Sequence, residues 1–332
     1  MGLRDEFIKS AMRLYEFCQY PAVRYKILFH LLDTPYDDEK LSELRKDFLK
    51  SDIVEELYHE QDIYGGWGPL HSKDYSVKAK FPTSLVAINR CLYIGLTIED
   101  RDILLCAYEY LESFLKGTSH EKLYNKNERA IPWQLGQICE AIESIKPHNS
   151  LCDITYSQWL YIAERAYESG EYSYERERAA QHEVFLTREN RLVPMQFGLL
   201  LKRRENVSEE LEDAMLRHHG EHAYYNGYFW QNCPAKLPDN FVYEKTRRWF
   251  PSFNYINQFR GSKIYLSEAV DWLLSNRNVD GLLWDWGSQI KDPWGYFGYF
   301  STNRNYKHNR IVDCSMEILN FLKKYIDNNN EK

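Results

Sequence analysis

The feature that most constrains this chain is a spacing. An apolar residue followed by proline occurs at Tyr20-Pro21-Ala22, Phe81-Pro82-Thr83, Ile131-Pro132-Trp133, Val193-Pro194-Met195 and Phe250-Pro251-Ser252, and Ile311-Val312-Asp313 continues the series with valine in place of proline. The six sites recur at intervals of about 50 to 60 residues, the mark of a repeated supersecondary unit. Proline is favoured at the first position of a helix, where its missing N–H is not needed and its fixed φ already suits the helix. The apolar residue before it staples onto the first turn.

Each site leads into a mostly apolar segment: Val23 to Leu32, Leu85 to Leu96, Leu135 to Ile145, Met195 to Leu201, Phe253 to Phe259 and Met316 to Leu322. Ahead of each lies a more charged amphipathic segment: Asp5 to Phe17, Ser51 to Gln61, Glu99 to Leu115, Tyr156 to Ser169, Glu209 to His219 and Leu266 to Asn276. Apolar residues in the last of these, Leu266, Val270, Leu273 and Leu274, keep to one helical face. No segment alternates as a strand would. The expected fold is all-α: six helical hairpins forming a closed (α/α)6 toroid, with buried inner helices and half-exposed outer ones. A linear solenoid would carry atypical polar caps at its ends. No linker divides the chain, so one domain over residues 1–332 is expected. The longer connections lead from outer to inner helices and would gather at one end.

Composition limits the partners. Hydrophobic residues make up 44% of the chain, enough for a substantial core, and the net charge of -7 from a mixed surface offers no global attraction to nucleic acid. No apolar run approaches the roughly 20 residues of a membrane span. Seven cysteines without a CxxC pair, and a charged amphipathic start rather than an apolar signal core, predict a cytoplasmic protein. The aromatic share of 15% exceeds what a Leu- and Ala-based bundle needs.

One stretch carries a family resemblance. Gln61-Asp62-Ile63-Tyr64-Gly65-Gly66-Trp67 matches the QxxxGxW motif and resembles the repeats of squalene-hopene cyclases and protein prenyltransferase β subunits. A degenerate second copy runs from Trp272 to Trp284, with Arg277 where glutamine would stand and the tryptophan one residue late. The resemblance implies an α/α toroid around an apolar, aromatic-lined cavity for isoprenoid chains, with Gln61 and Trp67 bracing outer helices. It also implies motifs that this chain lacks. There is no DxDD acid motif and no DDxxD, and Asp33-Thr34-Pro35-Tyr36-Asp37-Asp38 falls in a turn, where it reads as a loop or N-cap. Asp313 and Cys314 are adjacent, unlike the spaced zinc ligands of the prenyltransferases, and no metal site is expected.

The site expectations follow from the architecture. Inner-helix N-termini on one rim would present unpaired N–H groups and partial positive charge, and basic residues precede most of them: Lys80, Arg129, Arg191, Arg247 with Arg248, and Lys307 with Arg310. Arg129, Arg191, Arg248 and Arg310 are therefore expected to bind an anion, with Trp133, Trp284 and Trp286 lining the substrate site. Asp313 is the expected acid, by analogy with the proton donor of the cyclases. His182 and Glu183 form a second candidate acid–base pair. His218 and His222, one helical turn apart, have metal-ligand spacing but stand at the end of an outer segment.

The small-molecule partner is accordingly expected to be an isoprenoid, handled by a terpene cyclase-like or prenyltransferase-like protein. The alternatives are an (α/α)6 lyase or hydrolase of acidic sugars, in which Asp280, Asp285 and Asp313 supply carboxylates, and a non-catalytic scaffold. No motif identifies a cofactor.

Overall fold

The computed structural model describes residues 2–71, 81, 83–121, 123, 130–186, 193–222, 224–225, 230–231, 236–242, 246, 249–287, 300 and 306–330. In chain order the helices among them are α1 (Leu3–Phe17), α2 (Pro21–Lys26), α3 (Glu39–Leu49), α4 (Asp52–Glu60), α5 (Ser84–Ile94), α6 (Ile103–Leu115), α7 (Ala130–Ile145), α8 (Asp153–Ala166), α9 (Tyr174–Phe185), α10 (Phe197–Lys202), α11 (Glu209–Glu221), α12 (Phe250–Ile256), α13 (Lys263–Ser275) and α14 (Lys307–Asn330). A π-helical turn, Ile27–Leu31, continues α2. The only strands among the described residues are the two-residue Tyr224–Tyr225 and Trp230–Gln231, so the chain is all-α.

Each expected segment holds a helix. Pro21 and Pro251 occupy first turns as read from the sequence. Two helices were not expected. The Asp38 carboxylate accepts from Leu41 N at 2.9 Å and starts α3, which buries Leu41 and Phe48. The Ser173 hydroxyl accepts from Arg176 N at 3.3 Å and starts α9 inside the third long connection. The last helix, at 24 residues, begins at Lys307, so Asp313 lies in its second turn and not at its start.

The packing resolves two compact units. Unit 1 contains Met1–His59, Asn89–Leu96 and Gln231–Lys332; unit 2 contains Glu60–Ile88 and Thr97–Trp230. In unit 1, α1 packs on α14, α2 on α3, α13 on α12 and α14, and the π turn on α1 and α14. Ala11, Leu14, Val23, Ile27, Ile318 and Leu322 fill that core, each fully excluded from water, a burial that stabilises by about 1.5–3 kcal/mol for each larger aliphatic chain. In unit 2, α7 packs on α6, α8 and α10, and α8 on α9.

The motif residues do structural work in both units. Gln61 Nε2 donates to Gly65 O and to Ile103 O, each at 2.9 Å, which ties the glycine turn to the first residue of α6. Buried Trp67 donates its backbone N–H to Ser84 Oγ at 2.8 Å. In unit 1, Arg277 donates to Glu6 Oε2 at 2.5 Å and to Glu6 O at 3.3 Å, while buried Trp284 donates its N–H to Ser315 Oγ at 3.1 Å. The second copy thus repeats the first, with a guanidinium replacing the amide.

Candidate functional site

The described residues singled out in the sequence divide between the units, with Trp284, Trp286, Arg310 and Asp313 in unit 1 and Trp133, His182 and Glu183 in unit 2. In unit 1, Trp284 is wholly buried and donates Nε1–H to Leu273 O at 2.7 Å, with the Arg277 guanidinium 5.4 Å from its ring centre. Trp286 is buried against Phe250 and Phe241. Neither ring lies on an open rim. Arg310 makes a two-armed pair with Asp285, Nε to Oδ1 at 3.3 Å and Nη2 to Oδ2 at 3.1 Å. Its charge is thereby already matched. Asp313 is buried and its Oδ1 accepts the backbone N–H of Phe300 at 3.0 Å.

In unit 2, His182 and Glu183 stand exposed on the last turn of α9, a helix rather than a loop, and Glu183 accepts from Tyr161 OH at 2.9 Å. Trp133, in the first turns of α7, meets His71 edge-on at 4.5 Å. Burial pushes that imidazole down to about 4, so it is neutral at neutral pH. Arg129, Arg191 and Arg248, like Lys80 and Arg247, lie outside the described residues. His218 stacks on exposed His222 at 5.1 Å and lies 4.4 Å from the tilted ring of Tyr172.

A cavity of about 520 Å³ opens in unit 1, within the size range of small-ligand sites. Tyr20 and Ala22 at the start of α2, Asp52 and Glu56 of α4, Arg90 of α5 and Asn309 of α14 line it, with Phe300 at its wall. Tyr20 OH donates to Asn309 Oδ1 at 2.9 Å, and Arg90, only 2% exposed, faces Glu56 at 3.9 Å. Asp47 and Lys50 at the end of α3 add charge at its mouth. Five of the twelve lining residues are thus charged, and only Tyr20 and Phe300 among them are aromatic.

Further in, the same helices carry a second set of polar groups. Residues four apart share a helical face, so Lys26 follows Ala22 on α2, and Asp313 and Glu317 follow Asn309 on α14. Lys26 Nζ donates to Tyr93 O and lies 4.2 Å from the centre of the Tyr93 ring. Tyr93 OH donates to Glu317 Oε2 at 3.2 Å, and Asn254 Nδ2 donates to Glu317 Oε1 at 3.2 Å. The Tyr93 ring is 5.5 Å from that of Phe300, the cavity wall.

Burial governs the charges here. It holds the Lys26 amine down at about 7 against the pull of Glu317, raises the Glu317 carboxyl against its hydrogen bonds from Tyr93 and Asn254, and raises the Tyr93 phenol well above its ordinary value. Next along α2, His30 is lowered to about 4, chiefly by burial and then by Lys26. Such clustered perturbation is common at functional sites. Patterning at helix starts does not single these residues out. Their signal is present in the sequence: Lys26, Arg90 and Glu317 are charged residues inside three of the six segments expected to be mostly apolar.

Comparison with protein-family models, curated proteins and solved structures finds no match to this chain.

Proposed function

We propose that this chain is a divergent α/α toroid enzyme whose cavity in unit 1 binds a small polar molecule, with an acidic sugar as the substrate class. The observation that carries the reading is the lining itself: Asp47, Lys50, Asp52, Glu56 and Arg90 surround about 520 Å³. An isoprenoid chain placed there would cover Asp47, Lys50 and Asp52 with hydrocarbon in place of water, at a cost of several kcal/mol. A uronate would offer hydroxyls to the carboxylates and a carboxylate to Arg90 or Lys50.

The ring arrangement is supported by the two braces. Gln61 reaches from the end of one outer segment to the first residue of the next, and Arg277 reaches from the last outer segment back to Glu6 in the first. Packing of α1 on α14 is what ring closure requires. The same braces favour a second reading, an isoprenoid-handling protein like the families that the motif resembles.

Thermal shift separates the two. Millimolar D-glucuronate or D-galacturonate is expected to raise the Tm, by mass action on the folded state, and Lys50→Glu to remove most of that rise. Stabilisation by geranylgeranyl diphosphate with no response to either uronate would reject the sugar reading.

A further inference from the structure

We infer that the Lys26 amine is the reactive group of unit 1, a nucleophile that forms an imine with an aldehyde or keto group of the polar molecule held in the adjoining cavity. The inference rests on reading that cavity as a ligand site, and it narrows the substrate to a carbonyl compound such as an open-chain sugar acid or a 2-oxo acid.

Three geometric observations support it. Lys26 stands one helical turn beyond Ala22, on the same face of α2, so it follows the cavity lining inward. Phe300 is shared: it forms part of the cavity wall and packs on the Tyr93 ring over which the amine lies. The helix changes to π geometry at Ile27, immediately after Lys26, with Leu32 N donating to Ile27 O at 2.9 Å. π turns are rare and concentrate at functional sites, where they re-aim side chains. The four-carbon stem gives the amine freedom to swing from Tyr93 O toward the cavity.

The surroundings suit the chemistry. At about 7, the amine has a large neutral fraction at physiological pH, unlike an ordinary lysine. Its nitrogen adds to the carbonyl carbon while the C=O π pair moves to oxygen. That oxygen takes up the proton shed by nitrogen, giving a carbinolamine. Loss of the hydroxyl as water, with a proton supplied by the raised Glu317 carboxyl, leaves an iminium, whose N–H proton returns to the Glu317 carboxylate to give the neutral imine. One amine and one carbonyl yield one imine and one water, with no change of oxidation state.

The test treats the full-length protein with glyoxylate and sodium cyanoborohydride at pH 7.5 and maps carboxymethylated lysines by peptide mass spectrometry. Lys26 is expected to react at least about tenfold faster than exposed Lys116, as an amine activated by desolvation, and Lys50→Trp, which fills the mouth with a surface residue, is expected to slow Lys26 alone. Reaction at Lys116 with none at Lys26 overturns the assignment, as does labelling of Lys26 unaffected by Lys50→Trp. Uronate thermal shift in parallel keeps the two readings apart. A shift without Lys26 labelling removes the amine and leaves the cavity; labelling without a shift leaves the amine and removes the acidic sugar.

Discussion

Gln61 and Arg277 make the same connection with different chemistry, each ending on a backbone carbonyl of another helix. Gln61→Ala deletes the two hydrogen bonds that tie the glycine turn to α6, so urea denaturation should show a loss of about 1–3 kcal/mol with uronate binding unchanged. Lys26 makes the opposite prediction. Its folded pKa of about 7 lies below the ordinary 10.5, so between those values the unfolded chain holds a proton that the folded chain has lost. Stability therefore rises with pH across that window, and the full cost of burying the ammonium is present below it. Lys26→Met should raise stability at pH 7 by about 2–4 kcal/mol and flatten the rise toward pH 10, read from unfolding free energies at several pH values. The raised Glu317 carboxyl gives the reverse slope above pH 4.5, which Glu317→Gln removes. Gln61 and Trp67 were legible in the sequence because a motif states their spacing. Trp284 was legible as a motif residue too, yet it was also expected at the substrate, and its hydrogen bonds to Leu273 and Ser315 keep it inside the core.

Among the elements, the apolar segments and their charged partners were readable because each buries one stripe. The connections were harder. α3 carries Leu41, Leu44 and Phe48 at helical spacing behind an Asp38 cap, a signal as clear as any other, whereas α9 buries Glu177, Ala180 and Gln181 and has no apolar stripe to read. What orders α9 is a polar network: Glu177 accepts from Tyr172 OH at 2.6 Å, and Gln181 exchanges two bonds with the Val193 backbone. The start of α14 was misplaced because Val312 was aligned with the prolines, although nothing stops a helix from beginning earlier at Lys307. The turn after α4 gives a sharp prediction. Gly65 has φ +92°, and a Cβ there would sit 2.2 Å from Cys106 O, a backbone atom that cannot yield. Gly65→Ala should cost at least about 2 kcal/mol in a urea titration, more than Gly117→Ala, which has a positive φ of 69° but open space around it.

Over the whole molecule, the all-α class was legible and the chemistry was not, since charged groups inside apolar helices do not announce themselves by motif. No helix among the described residues is long and apolar enough to cross a membrane. Of the six described cysteines, all are free and only Cys106 is not buried. Ellman's reagent should thus label Cys106 quickly among these six, and the other five only after denaturation. The central claim is that the cavity bounded by Glu56, Arg90 and Asn309 holds a polar molecule. Native mass spectrometry of the freshly purified chain, followed by release and identification of whatever travels with it, tests this most directly. A hydroxylated acid or sugar acid is predicted, lost in Lys50→Glu; a co-purified isoprenoid or other lipid would contradict it.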